Sequence, residues 1–258
     1  MEKNYALITG ASSGIGYQYA RVMARKGYNL VIVSNEPEAL AEKAESIRKE
    51  FGVEVADIEM DLGKQSAAKD LYDSCKERGL EIEVLINNAG VYHDRDFIKD
   101  SEGFNSLILN LHVYTPAMLM YYFCQDMVKR HKGYVLNMSS ITSDIAVQRL
   151  ATYSATKVFL KNFSRCTHVE LRPEGVNVTC VRPGAVATDL YHLSPGALKA
   201  GLLTGVIITP ERLAEKGVKA MFKGRARITP GLVSKLLIVL VKILPTWSLR
   251  LVRKLGIF

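Results

Sequence analysis

The chain has 258 residues, 48% of them hydrophobic and 23% charged, with a formal net charge of +8. That length and apolar content suffice for one large α/β core and exclude a disordered or low-complexity chain. Its four cysteines, Cys75, Cys124, Cys166 and Cys180, and its five histidines are scattered without metal-ligand spacing. A disulfide scaffold and a metal site are therefore not expected, and the cysteines read as reduced core or near-core thiols of a cytosolic protein.

Apolar β-branched runs alternate with helical patterns along the chain. Strands are expected near 5–9, 29–34, 53–58, 83–87, 133–138 and 176–182, with a short one near Ile228. Helices are expected near 14–26, 36–50, 64–78, 101–130, 151–172 and 210–222. No signal-peptide pattern precedes the first strand, and no linker or repeat divides the chain. The alternation predicts a single-domain, Rossmann-like α/β/α fold, a doubly wound parallel sheet over 1–230, followed by an apolar, basic extension over 231–258. Ligands of such sheets bind beyond the carboxyl ends of the strands. Gly10, Ser34, Asp61, Asn88, Ser140 and Pro183 all fall at or just after an expected strand end.

The first strand runs into Gly10-Ala-Ser-Ser-Gly14-Ile-Gly16 and then a helical pattern. A glycine-rich turn of this kind brings bare N–H groups and a helix N-terminus to a pyrophosphate. Thr9, Gly10, Ser12, Ser13, Gly14, Ile15 and Gly16 are the candidate contacts, although the spacing is not G-x-G-x-x-G. Ser34, followed by Asn35, stands where an acid would hold the ribose 2′-hydroxyl of NAD. Its neutrality favours NADP(H), with NAD(H) possible; Glu36 and Glu38 would repel a 2′-phosphate if they pointed inward.

Tyr153 and Lys157 stand four residues apart on an expected helix and so share a face. A phenol has an unperturbed pKa of about 10, and a nearby ammonium lowers it. Ser140, thirteen residues before Tyr153, offers a hydroxyl for the same substrate oxygen, with Ser139 as its rival. The three suit proton transfer in carbonyl reduction or alcohol oxidation.

Thr9-Gly10 with Gly14-Ile15-Gly16, Asn87-Asn88-Ala89-Gly90, Ser140, Tyr153 with Lys157, and Pro183-Gly184 occur in one register. In order and spacing they resemble the short-chain dehydrogenase/reductase family over roughly residues 4 to 230. The resemblance implies a nicotinamide cofactor and a Ser-Tyr-Lys centre assisted by an asparagine, here Asn110. It implies that Lys157 also binds the nicotinamide ribose and that Asn110 positions a water relaying protons to it. It adds Asp61 and Leu62 near the adenine, with a helix N-cap as the other reading of Asp61. It also adds Asn88, Ala89 and Gly90, and a Pro183, Gly184, Val186, Thr188 turn at the nicotinamide. Homodimers or homotetramers are common in the family.

The segment from about 185 to 209 is expected to form a substrate lid. Its Leu190, Tyr191, Leu193, Leu198, Leu202 and Leu203 favour a lipophilic alcohol or ketone, sterol-like or lipid-like; His192 reads as a loop residue. No Asp or Glu follows Glu215, whereas ten Lys or Arg do, so the positive balance belongs to the C-terminal stretch. The apolar run from Leu232 to Leu244 and Trp247 suit a pocket-closing helix, a subunit contact or an interfacial helix at a membrane surface. Nucleic acid is not expected, because the basic residues interleave with aliphatics. Three functions remain: an NAD(P)-dependent oxidoreductase on a hydrophobic alcohol/ketone pair, a 3-oxoacyl (carrier protein or CoA) reductase, and a catalytically silent dinucleotide-sensing protein.

Overall fold

The computed structural model describes residues 4–145, 147–188 and 195–243. Its elements in chain order are β1 (Tyr5–Thr9), α1 (Gly14–Arg25), β2 (Asn29–Ser34), α2 (Pro37–Phe51), β3 (Val55–Glu59), α3 (Ala67–Glu77) and β4 (Ile82–Asn87). There follow α4 (Glu102–Leu109), α5 (Thr115–Lys129), β5 (Gly133–Met138), α6 (Ala151–Leu171) and β6 (Val176–Val181). The last are β7 (Ala185–Val186), α7 (Pro195–Thr204), β8 (Ile207–Ile208), α8 (Pro210–Phe222), β9 (Arg227–Ile228) and α9 (Leu232–Ile243).

Seven strands form one parallel sheet in the order β3-β2-β1-β4-β5-β6-β9. The order reverses between β1 and β4, which opens a crevice at their carboxyl ends. Alternate residues of each strand serve two cores, as a pleated strand dictates. Ala6, Ile8, Leu30 and Ile32 pack with α1, α2 and α8 on one face. Leu7, Val31, Val33 and Leu85 pack with α3 and α5 on the other. Burial on both faces explains why the strands read as unbroken apolar runs.

The expected helix over 101–130 is two helices separated by a π turn, Asn110–Tyr114. Pro116 is the cause: it has no N–H for the carbonyl of His112, and its ring crowds that carbonyl. The turn absorbs one extra residue, and the N–H of Thr115 bonds to the carbonyl of Asn110. Glu102–Lys129 as a whole is long and apolar enough to cross a membrane by composition. Its Leu119, Met120, Phe123 and Met127 are instead buried against the sheet, so it is a core helix.

The lid segment has structure that the sequence reading lacked. Parallel pairing of β7 with β8 brings its two ends together, and α7 lies between them. Leu190, Tyr191, His192 and Leu193 lie outside the described residues, as does Trp247 in the C-terminal stretch. Cys75, Cys124 and Cys180 are buried as expected, but Cys166 is exposed on α6.

Candidate active site

The phosphate-binding half of the crevice is shaped by glycine. Gly10 and Gly14 have φ of +65° and +53°, in the left-handed region that side chains resist. A Cβ on Gly16 would stand 1.9 Å from the carbonyl oxygen of Gly10, so only a bare backbone lets α1 start this close to β1. The α1 N-cap, Ser13, makes no side-chain capping bond, and the first turn carries no acid. Its free N–H groups therefore face the crevice as an anion site.

A cavity of about 550 Å³ occupies the crevice. Its walls include Gly10, Ser12, Ser13, Gly14, Ile15 and Gly16 from the first turn, and Ser34, Asn35, Asp61 and Leu62 from the strand ends of β2 and β3. Asn88, Ala89, Gly90 and Thr188 complete the set of expected residues found there. A second hollow of about 470 Å³ shares Asn35, Met60 and Asp61 and extends the groove past β3. The residues fit a dinucleotide: the glycines leave room for its backbone approach, and Thr188 Oγ1 is buried without a partner among the described residues.

Some expected contacts have other tasks. The Thr9 hydroxyl accepts hydrogen bonds from the N–H groups of Asn88 and Ala89, both at 3.0 Å. It is not among the residues lining the cavity, and it holds the 88–90 loop. The Asn88 amide donates to the carbonyls of Thr9 and Gly10. Val186 is buried, and neither it, Pro183 nor Gly184 lines the cavity. A Cβ on Gly184 would meet Ser234 Oγ of α9 at 2.4 Å, so α9 packs onto this turn. Sequence reasoning missed Met60, Val91, Leu107, Leu111 and Ala187 in the walls. Four of them adjoin motif residues or strand ends, which was the available signal; Leu107 lies within α4, three residues before Asn110.

Glu36 also lines the cavity. Ser34 Oγ donates to Ser12 Oγ at 3.0 Å, and Ser12 Oγ donates to the Glu36 carboxylate at 2.6 Å. Glu36 thus stands in the cavity wall with its carboxylate turned to the glycine turn, where it would repel a 2′-phosphate that came near it. Ser34, expected at the ribose, reaches this acid through Ser12 of the glycine turn.

At the other end of the crevice, Tyr153 is 9% exposed and packs with Ile108, Leu150, Val91 and Tyr92. Lys157 lies one turn on and is buried, with Nζ 5.3 Å from the Tyr153 ring centroid. It donates to the carbonyl of Met138 at 3.1 Å. Burial lowers its pKa to about 8, because a buried ammonium loses hydration. At neutral pH it stays mostly protonated.

The two serines part company here. Ser139 Oγ donates to the carbonyl of Lys157 at 2.7 Å, which fixes the lysine's backbone. Ser140 Oγ accepts from the N–H of Thr142 and keeps its own hydrogen to donate. The loop after Ser140 is tied to the Pro183 turn by the Ile141 N–H to Pro183 carbonyl bond, 3.0 Å. The Asp144 carboxylate, its side chain 5% exposed, reinforces the tie through ion pairs with Arg182 and Lys161. Asn110 begins the π turn, which packs against α6. Among the described residues no group of three or more His, Cys, Asp or Glu could hold a metal.

The family model for short chain dehydrogenases matches residues 4–195. The human very-long-chain 3-oxoacyl-CoA reductase is 31% identical over 249 residues, covering 94% of this chain and 76% of that protein. A short-chain dehydrogenase from Sphingobium yanoikuyae, solved with NADPH, superposes with a TM-score of 0.79 at 27% identity, covering 89% of this chain and 88% of that one. The bulky-bulky ketone specific alcohol dehydrogenase of Comamonas testosteroni gives 0.77 at 27% identity, covering 88% and 85%.

Proposed function

The chain belongs to the short-chain dehydrogenase family and is an NAD(P)-dependent oxidoreductase of alcohol and carbonyl groups; from this premise we propose that it reduces the ketone of a lipophilic 3-oxoacyl thioester or a related hydrophobic ketone. The buried Tyr153–Lys157 pair beside the cofactor cavity carries the assignment of residues. When bound, the nicotinamide supplies or takes the hydride. Tyr153 donates a proton to the developing alkoxide, and Ser140 hydrogen-bonds the same oxygen. Lys157 holds positive charge against the phenol and favours its ionised form. Asn110, at the π turn, is assigned to the proton path to Lys157. In oxidation each proton moves back along the same route.

The acyl substrate is supported by the activity of the similar human very-long-chain 3-oxoacyl-CoA reductase and by the apolar lid, where Leu202, Leu203 and Val206 are exposed. A panel of 3-oxoacyl-CoA esters of increasing chain length, with simple ketones and sterols beside them, tests the substrate. Loss of reduced-cofactor absorbance that rises with chain length is the expected result. Turnover of simple ketones or sterols with none of the 3-oxoacyl esters would overturn the acyl substrate.

For the cofactor we propose NAD(H). Glu36 would repel a 2′-phosphate and accept a bond from a 2′-hydroxyl, and Glu59, Asp61 and Asp70 add negative charge along the adjoining hollow, against Lys64 alone. Steady-state rates with NADH and NADPH decide the matter.

The division into a domain over 1–230 and an extension over 231–258 is supported by α9, which packs on Gly184 as a cover of the site. The outer face of α9 exposes Leu232, Leu236, Leu237, Val239 and Leu240, which supports peripheral contact with an anionic membrane. Vesicles of zwitterionic and anionic lipid, sedimented at low and high salt, test this contact. A homodimer or homotetramer is supported by Tyr121, Val158 and Val169, exposed on α5 and α6; light scattering on the eluted protein measures it.

A further inference from the structure

His112 belongs to no motif used above, yet it lies between the two halves of the site. It is 1% exposed and occupies the middle of the π turn. Its Nε2 accepts from the N–H of Val91 at 2.9 Å. An imidazole nitrogen that accepts there carries no proton, so in the neutral ring the proton is on Nδ1. Nδ1 stands 3.1 Å from Thr156 Oγ1, and Thr156 Oγ1 donates to the carbonyl of Tyr153 at 2.7 Å. The direction of every bond is thereby fixed: Nδ1–H donates to Thr156, whose own hydrogen continues to Tyr153. The ring also meets Tyr153 edge to face, with centroids 5.7 Å apart.

The other side of this chain of bonds is the cofactor cavity. Val91 and Gly90 both line it. A Cβ on Gly90 would come within 2.8 Å of His112 Nε2, so glycine at that position leaves space for the imidazole. We infer that His112 is a positioning residue for the reaction: as the neutral Nδ1–H tautomer it latches the cavity loop at Val91 to the turn of α6 that carries Tyr153. The inference rests on the proposed role of Tyr153 as proton donor.

The groups facing the ring are the Val91 N–H from the loop, and Thr156, Tyr153 and Lys157 from α6. None is an anion. Burial, with the Lys157 charge adding to it, holds the imidazole pKa well below its usual 6.5, so the latch stays neutral through the physiological range. A protonated ring would set Nε2–H against the Val91 N–H, two donors facing each other.

The experiment compares His112→Gln, His112→Leu, Thr156→Val and the Leu/Val double variant, with Tyr153→Phe alongside. A Gln side chain keeps an acceptor for Val91 and a donor for Thr156; Leu keeps bulk alone. Misplacing the phenol by a fraction of an ångström should lower kcat about ten- to a hundred-fold in the Leu and Val variants. Cofactor Kd, read by fluorescence, should move less than about three-fold, and Gln should restore kcat to within about three-fold of wild type. The double variant should be no worse than the poorer single, since one chain of bonds is broken once. Nitrogen shifts of the imidazole in the unaltered protein should report protonated Nδ1 and bare Nε2, a measurement independent of whether variants fold. The latch is overturned if the tautomer is reversed, if His112→Leu keeps kcat within three-fold, or if Gln falls as far as Leu. Near-normal turnover of Tyr153→Phe would instead sink the donor assignment, and the latch with it.

Discussion

The two ends of the crevice solve opposite electrostatic problems. At the catalytic end a cation, Lys157, is buried and donates to the carbonyl of Met138. At the adenosine end a carboxylate, Glu36, sits in an open cavity and is held by a serine hydroxyl. Burial makes the first charge costly and chemically potent; solvent makes the second cheap and suited to discrimination. The reactive end should therefore respond to substitution in kcat and in stability, and the open end mainly in cofactor choice.

The largest effect is expected from Tyr153→Phe. Loss of a general acid alone costs ~10²–10⁴-fold, and this phenol also anchors the substrate oxygen, so turnover should fall by about 10³-fold or more. Single-turnover measurement with bound cofactor checks it; a loss under ten-fold would make the catalytic end as forgiving as the adenosine end.

Lys157→Met separates chemistry from stability. Turnover should fall by about 10²-fold or more, because the phenol loses its charged neighbour. Stability should not follow. The folded pKa of about 8 lies below the ordinary 10.5, so between these values the unfolded chain binds the extra proton and wild-type stability rises with pH. Below pH 8 the buried charge is a burden of about 3 kcal/mol, offset in part by the bond to Met138. Tm of Lys157→Met should match or exceed wild type at pH 7, and wild type should gain on it steadily from pH 8 to 10.5. A wild-type advantage that instead shrinks as pH rises would mean the lysine is not a strained cation.

Glu36→Ser tests the other end. NADH should be preferred by wild type, and the substitution should cut the NADH to NADPH ratio of kcat/KM by about ten-fold or more, since a like charge against a phosphate costs at least ~1.4 kcal/mol. Chemistry with a saturating cofactor should change little.

The same contrast explains what could be read from the sequence. β1, β2 and β5 were legible to the residue because strands buried on both faces leave uninterrupted apolar runs. Tyr153 and Lys157 were legible because helix periodicity alone places them together. The π turn was not, although its cause, Pro116, stood in view; the long apolar pattern outweighed a single missing N–H. α7 escaped because its short, leucine-rich stretch has no polar face to set a period. Ser140 was preferred to Ser139 from its spacing to Tyr153, but the task of Ser139 depends on the Lys157 carbonyl, a contact between residues 18 apart. The inward turn of Glu36 is a rotamer choice fixed by Ser12, 24 residues away, and no local pattern encodes it.

Ser12 gives the smallest and most discriminating effect. Its hydroxyl both accepts from Ser34 and donates to Glu36. Ser12→Ala leaves the carboxylate in place but frees its orientation, and a hydrogen bond to a charged group is worth ~1.5–3 kcal/mol at most when buried and less in this open cavity. NADH kcat/KM should fall about three- to ten-fold. NADPH should be unchanged or slightly improved, because an untethered Glu36 can swing toward solvent. Parallel cofactor titrations of wild type and Ser12→Ala read both quantities. Equal losses with both cofactors would mean that Ser12 serves the pyrophosphate through the glycine turn, and that Glu36 selects the cofactor without help from its neighbour.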